Sequence, residues 1–92
     1  MGKRTETSWK QDHPSTLFGN SVQKAYRLLK HAKQHPEEMA VEHAFDQIFH
    51  AENSFANAVQ HGEHLDMVQQ NKELLEQIRH ELHEVQNNIK EQ

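Results

Sequence analysis

The sequence HLDMVQQNKELLEQIRHELHEVQNNIKEQ, which runs from His64 to Gln92, decides the fold of this chain. Seven of its positions recur at alternating steps of three and four residues, and all but one of them are apolar. They are Val68, Asn71, Leu75, Ile78, Leu82, Val85 and Ile89. This spacing predicts one long helix with an apolar stripe along one side. Because an isolated helix is stabilised mainly by what its apolar side packs against, the rest of the chain must cover this stripe.

A second amphipathic helix is predicted from Pro36 to about His61. Pro is well tolerated at the first helical position, and a Gly commonly ends a helix, which is the role we assign to Gly62. The predicted inner side is Val41, Ala44, Phe45, Ile48, Ala51, Phe55, Ala58 and Val59, with Phe49 and Ala56 on one flank. So short a break before Glu63 favours an antiparallel helical hairpin.

A shorter helix is predicted before Pro36, from near Ser15 or Ser21 to about Gln34. Residues 1–14 lack periodicity and are predicted to form a flexible polar arm, which leaves residues 15–92 as one helical bundle domain. The predicted fold is therefore all-α. It is a long antiparallel helical hairpin with a shorter N-terminal helix packed on it, which makes a three-helix bundle.

The two hairpin stripes each carry one polar residue. If the chain folds back at Gly62, Glu52 of the second helix is predicted to lie beside Asn71 and its neighbour Lys72. A polar contact within an apolar stripe fixes the register of two helices. We therefore predict a polar layer of Glu52, Asn71 and Lys72, with a ligand or metal role for Glu52 as the alternative.

The first helix is predicted to reach only about as far as Asn53, so the tip of the hairpin is covered only if Leu17, Phe18 or Trp9 extends across it, or if another chain does. An uncovered apolar patch usually marks an interaction site. The predicted interaction residues are Trp9, Phe18, Phe55, Val59, Leu65 and Val68. The predicted function is a non-enzymatic protein-interaction or structural module. It would bind another protein, or a second copy as a homodimer, through the hairpin tip or the third helix.

Charge divides the chain sharply within its formal net charge of −4. Residues 1–35 carry seven Lys or Arg against two acids, whereas residues 36–92 carry three against twelve. A basic first helix is thus expected to dock on an acidic hairpin. The alternative is a nucleic-acid-associated protein using the basic arm and first helix, but scattered cations beside an acidic hairpin bind phosphate poorly. The cations concerned are Lys3, Arg4, Lys10, Lys24, Arg27 and Lys30.

Nine His are many for 92 residues. Three pairs are spaced to share one side of a helix, and such pairs can bind a transition metal. They are His31 with His35, His61 with His64, and His80 with His83. Because these pairs are predicted to face outward, we expect surface His, no metal site and no cofactor. A His-rich metal-responsive bundle is the third functional alternative.

The sequence predicts no catalytic residue. It contains no Cys, and its three Gly form no phosphate-binding loop. No stretch approaches the roughly 18 apolar residues of a membrane span, and a chain without Cys suits a reducing compartment. A cytoplasmic protein with no small-molecule substrate and no membrane contact is expected.

The order of parts carries a resemblance. A polar arm, a short helix and a hairpin ending in LHEVQNNI at residues 82–89 resemble the small uncharacterised helical proteins of spore-forming bacilli, of the YtzC kind. The resemblance covers about residues 22–89, and VQNNI is its most specific part. It implies a bacterial cytoplasmic protein, and it offers no functional residue to carry over.

Overall fold

Three helices account for almost all of residues 13–90, which are the residues that the computed structural model describes. They are α1 (Pro14–Gln34), α2 (Glu38–His61) and α3 (Leu65–Lys90), and they pack against one another as an all-α bundle. The predicted fold class is confirmed. The predicted arm and Trp9 lie outside the described residues, apart from the last two positions of the arm.

The helices alternate in direction, so α1 and α3 run parallel to each other with α2 antiparallel to both. Two contacts between α1 and the second half of the hairpin show this. His13 contacts Glu63 near the start of α1, and Lys33 contacts Glu81 near its end. The sequence separations are nearly equal, at 50 and 48 residues, as a parallel pair of helices requires.

Each helix contributes its apolar stripe to a single core. The buried apolar side chains are Phe18, Val22, Ala25, Leu29, Ala32, Val41, Ala44, Ile48, Ala51, Ala58, Val68, Leu75, Ile78 and Leu82. The predicted stripes of α2 and α3 supply most of them, but Val59, which was predicted on the inner side of α2, is 46% exposed because it lies at the edge of that stripe. Five of these residues are Ala, which allows the helix backbones to approach closely.

The first helix begins at Pro14, next to Ser15, which is the earlier of its two predicted starts. His13 is its N-cap residue, and the ring Nδ1 accepts a hydrogen bond from the Ser15 backbone N–H at 3.2 Å. Pro14 suits the first helical position because its φ is already helical. Gly19 lies inside the helix, between the buried side chains of Phe18 and Val22.

The prediction that α1 reaches only Asn53 is therefore wrong. The ring of Phe18 lies against that of Phe55, with centroids 5.4 Å apart, and His13 reaches the hairpin turn itself. The start at Pro14 carries α1 along the whole hairpin. At the hairpin tip α1 therefore covers Phe55, whereas Val59, Leu65 and Met67 stay 43–50% exposed.

The two connections are short. α2 begins at Glu38, with Glu37 as N-cap, so Pro36 lies in the connection and is not the first helical residue. Gly62 ends α2 with φ +81°, in the left-handed region that favours glycine, which confirms its predicted role. None of the three helices is apolar enough along its length to cross a bilayer.

Candidate interaction surface

The predicted interaction residues divide between the core and the surface. Phe18 and Val68 are fully buried, so they stabilise the bundle and cannot contact a partner while it is folded. Half-buried Phe55 packs on Phe18. Val59 and Leu65 remain 46% and 50% exposed, so they are the most accessible of the described candidates.

The predicted polar layer takes a different form. Glu52 accepts a hydrogen bond from Arg79 at 2.7 Å, and Lys72 instead pairs with Glu76 at 3.4 Å on its own helix. Half-buried Asn71 faces α1. Helical side chains lean toward the N-terminus of their own helix. On antiparallel helices this lean brings together long side chains whose Cα atoms are not level with each other. Arg79 and Glu52, which are 27 residues apart in sequence, meet in this way.

A second stripe runs along α2 beside the core stripe, and we name it the α2 edge. It consists of five positions at steps of four and three residues, so they share one side of the helix. They are Phe45, Phe49, Glu52, Ala56 and Val59. Phe49 and Ala56 were predicted to lie on a flank and were assigned no role, although the same spacing rule marks them.

The apolar members of the α2 edge are unusually accessible for their type. Phe49 is 62% exposed, Val59 is nearly half exposed, and Ala56 is also exposed. Phe45 is half-buried, with its ring 4.9 Å from that of His83 of α3. An exposed Phe in line with other apolar side chains is more informative than a scattered one, because contiguous apolar surface is what binding partners bury.

The central residue of the α2 edge, Glu52, is charged, and an arginine of α3 neutralises its charge. Glu52 and Arg79 form an ion pair between α2 and α3, with both side chains about half exposed. Lys72 lies over the Phe55 ring at 5.2 Å, next to this pair. The surface is therefore two apolar ends separated by a paired charge.

A second ion pair joins α1 to α3 on another side of the bundle. The Lys33 Nζ donates to the Glu81 carboxylate. This hydrogen bond raises the pKa of Lys33 above its usual value and is also the main cause that lowers the pKa of Glu81, which in addition accepts from Gln77. The pair links the end of α1 to the middle of α3.

The basic side chains of the nucleic-acid alternative are only partly described. Lys24, Arg27 and Lys30 are exposed along α1, and Lys30 lies over the ring of Tyr26 at 5.5 Å. Lys3, Arg4 and Lys10 lie outside the described residues. Nothing in this arrangement favours nucleic acid over the alternatives.

Comparison of the chain with protein-family models, with curated proteins and with solved structures gives no match. The resemblance to proteins of the YtzC kind stays a prediction. Any functional assignment therefore depends on the surface of the bundle.

Proposed function

We propose that this chain is a non-enzymatic helical interaction module that pairs with a second copy of itself through the α2 edge. The observation that carries the proposal is the exposed Phe49, aligned with Ala56 and Val59 on one side of α2. We prefer this surface to the predicted hairpin tip, because α1 covers part of the tip. Val59 is a member of the α2 edge and was also one of the predicted hairpin-tip residues.

The order of side-chain sizes along the α2 edge favours a second copy as the partner. Its large residues, Phe45 and Phe49, lie on one side of Glu52, and its small ones, Ala56 and Val59, lie on the other. When two such helices cross antiparallel at Glu52, each Phe49 faces Ala56 of the second copy, and each Phe45 faces Val59 of the second copy. Large side chains then fill the space left by small ones, as a two-fold symmetric interface requires.

The charges at the midpoint fit the same arrangement. Two Glu52 side chains would approach each other at the symmetry axis, which would oppose pairing if they were alone. Each already has an Arg79 at 2.7 Å, so two ion pairs meet side by side and each arginine can contact either carboxylate. The interface therefore needs Arg79 as much as its apolar ends.

The size of the α2 edge sets the expected affinity. Fifteen residues of helix span about 22 Å, so one helix pair buries less than the roughly 1,600 Å² of a standard stable interface. We expect a dimer that dissociates on dilution.

Light-scattering mass over a concentration series tests the proposal. Wild type should rise from the mass of one chain toward that of two, and Phe49→Glu should stay monomeric because it places a charge in the interface. Met39→Glu is the matched control, since Met39 is an equally exposed apolar residue of α2 outside the α2 edge. A wild type that stays monomeric at every concentration, or a dimer that both variants weaken equally, would contradict the proposal.

We also propose a cytoplasmic location in a bacterial cell. The complete absence of Cys supports a reducing compartment, and the resemblance to proteins of the YtzC kind supports the bacterial source. Fractionation of cells expressing the tagged chain would test the location.

A further inference from the structure

We propose that His13, Glu63 and His64 form a binding site for a divalent transition metal of the Zn²⁺ class, where the start of α1 meets the turn between α2 and α3. Sequence spacing alone marks only pairs of His within one helix. The fold adds His13, which is fifty residues away from Glu63 in sequence. A site of this kind goes beyond the interaction module proposed above and is independent of it.

The ligand atoms are already close together. One ring nitrogen of each His and one carboxylate oxygen of Glu63 lie within 4.8 Å of one another. Zn²⁺ takes nitrogen and oxygen ligands at about 2.0–2.2 Å, so ligand atoms on one ion are separated by somewhat more than 3 Å. Small rotamer changes of exposed Glu63 and His64 suffice to close that difference.

His61 lies near the three ligands and is a candidate for the fourth. His61, the last residue of α2, places its ring centroid 5.1 Å from that of His13, and the centroid of His64 lies 5.2 Å from the same ring of His13. Two imidazoles, one carboxylate and a further imidazole or water give the four-coordinate N/O set that Zn²⁺ favours over Ca²⁺ or Mg²⁺.

Hydrogen bonds define the metal-free state of His13. Its Nδ1 accepts from the Ser15 backbone N–H, so the ring proton is on Nε2, which donates to Glu63 at 2.6 Å. This hydrogen bond lowers the pKa of Glu63 in the metal-free chain.

Metal binding at Nε2 would move the ring proton to Nδ1, which could then no longer accept the hydrogen bond from the Ser15 backbone N–H. The Ser15 Oγ lies 2.9 Å from Nδ1 and can accept that N–H. Ser15 is buried, so its hydroxyl is a fixed partner for the ring. Histidine ligands commonly donate their second ring N–H to such a partner, which orients the ring.

The turn has a backbone suited to holding ligands. Gly62 and His64 both have positive φ, at +81° and +55°, and a residue other than glycine rarely adopts such a conformation. Non-glycine residues in this region are concentrated at ligand-binding positions. The bend turns Glu63 and His64 back toward His13.

A bound ion would join the start of α1 to the hairpin turn. It would close a loop of about fifty residues, and cross-links over long loops restrict the unfolded chain most. Because a metal bound only by the folded chain stabilises it, the bundle should melt at a higher temperature with the metal than without it.

Calorimetric titration with Zn²⁺ and the visible spectrum with Co²⁺ as a probe test the site. We expect one ion per chain, a Co²⁺ spectrum of four-coordinate N/O type, and an affinity at least about tenfold lower in each of His13→Asn, Glu63→Gln and His64→Asn. Asn at position 13 is a good N-cap residue, so this variant removes the imidazole without removing the cap. Circular dichroism verifies the fold of each variant.

The matched control is the double variant His31→Asn with His35→Asn. These two rings are 5.0 Å apart at the end of α1, far from the hairpin turn. The control should bind Zn²⁺ with nearly unchanged affinity. The proposal is overturned if only this control loses binding, if the three site variants bind like wild type, or if binding occurs only when light scattering shows two chains joined by the ion.

Discussion

Two glycines show how differently one residue type contributes to this fold. Gly62 lies in the left-handed region at the end of α2, and a Cβ there would meet nothing within 4 Å. Gly19 lies within α1, where a Cβ would be 3.2 Å from the side-chain nitrogen of Asn71. The backbone conformation favours glycine at position 62, whereas at position 19 only the Asn71 side chain crowds a Cβ.

Replacing Gly62 by Ala should lower the free energy of unfolding by about 1 kcal/mol, because left-handed geometry costs a residue with a Cβ roughly 1–2 kcal/mol. Urea unfolding followed by circular dichroism measures the change. An unchanged midpoint would mean that the turn does not depend on this conformation.

Replacing Gly19 by Ala should have the opposite sign. Ala is favoured over Gly inside a helix by about 1 kcal/mol, and the Asn71 amide is the far end of a side chain that can rotate away. We expect a gain of up to about 1 kcal/mol in the same unfolding measurement. The control repeats Gly19→Ala in a chain that already carries Asn71→Ala. There the gain in free energy of unfolding should be at least as large as in the wild-type chain. A smaller gain would show that crowding by Asn71 is not the effect that opposes Ala at position 19.

At the scale of the elements, ion pairs join helices that are distant in sequence. Lys33 and Glu81 link α1 to α3, and Glu52 and Arg79 link α2 to α3. These pairs are largely exposed, so each contributes little to stability and is weakened by salt. Their main effect is on how neighbouring helices are aligned.

The pair of Lys33 and Glu81 predicts a pH dependence. The pKa of Glu81 is lowered in the folded chain, so its contribution to stability is present above the ordinary pKa of about 4.5 and is lost as the pH falls through the lower folded value. The pKa of Lys33 is raised, so its contribution is present below 10.5 and is lost as the pH rises through the folded value.

Lys33→Met should therefore lower the melting temperature slightly near neutral pH, and the difference from wild type should narrow as the pH drops below about 4. Thermal melts of both proteins over a pH series measure it. A difference that stays constant into acid would show that the substitution acts through packing and not through the lost charge.

At the scale of the whole molecule, one small core holds all three helices together. Phe18 is its largest side chain from α1, is completely buried, and contacts Phe55 of α2. Phe18→Ala should cost about 3–5 kcal/mol, which is a large part of the roughly 5–15 kcal/mol that stabilises a typical domain. Exposed Phe49→Ala should cost less than about 0.5 kcal/mol in the same urea titration. Equal losses in both variants would contradict the assignment of core and surface.

The assembly makes a separate prediction at this scale. Arg79→Ala should weaken the proposed dimer, because it leaves two Glu52 carboxylates facing each other, and adding Glu52→Gln should restore it. Light-scattering mass at one fixed concentration compares the three proteins. If Arg79→Ala dimerises like wild type, the ion pairs are not needed for the dimer, and only its apolar contacts remain as the explanation.

Much of the architecture follows from the sequence alone. The seven-residue period of α3, the apolar side of α2 and the stop at Gly62 are local patterns, so they predicted three helices, the hairpin and most core residues. Local patterns determine which side of a helix is apolar because helical geometry repeats every 3.6 residues.

Only the tertiary structure decided which residues from distant parts of the chain meet. Helix length and side-chain lean set the pairing of Glu52 with Arg79, the cover that α1 gives to the hairpin tip, and the approach of His13 to Glu63 and His64. The periodicity of the sequence left two starts open for α1, and the start that the structure shows, at Pro14, has His13 as its cap and the buried Phe18 in its second turn. Contacts within a helix are properties of the sequence, whereas contacts between helices depend on how the whole core packs.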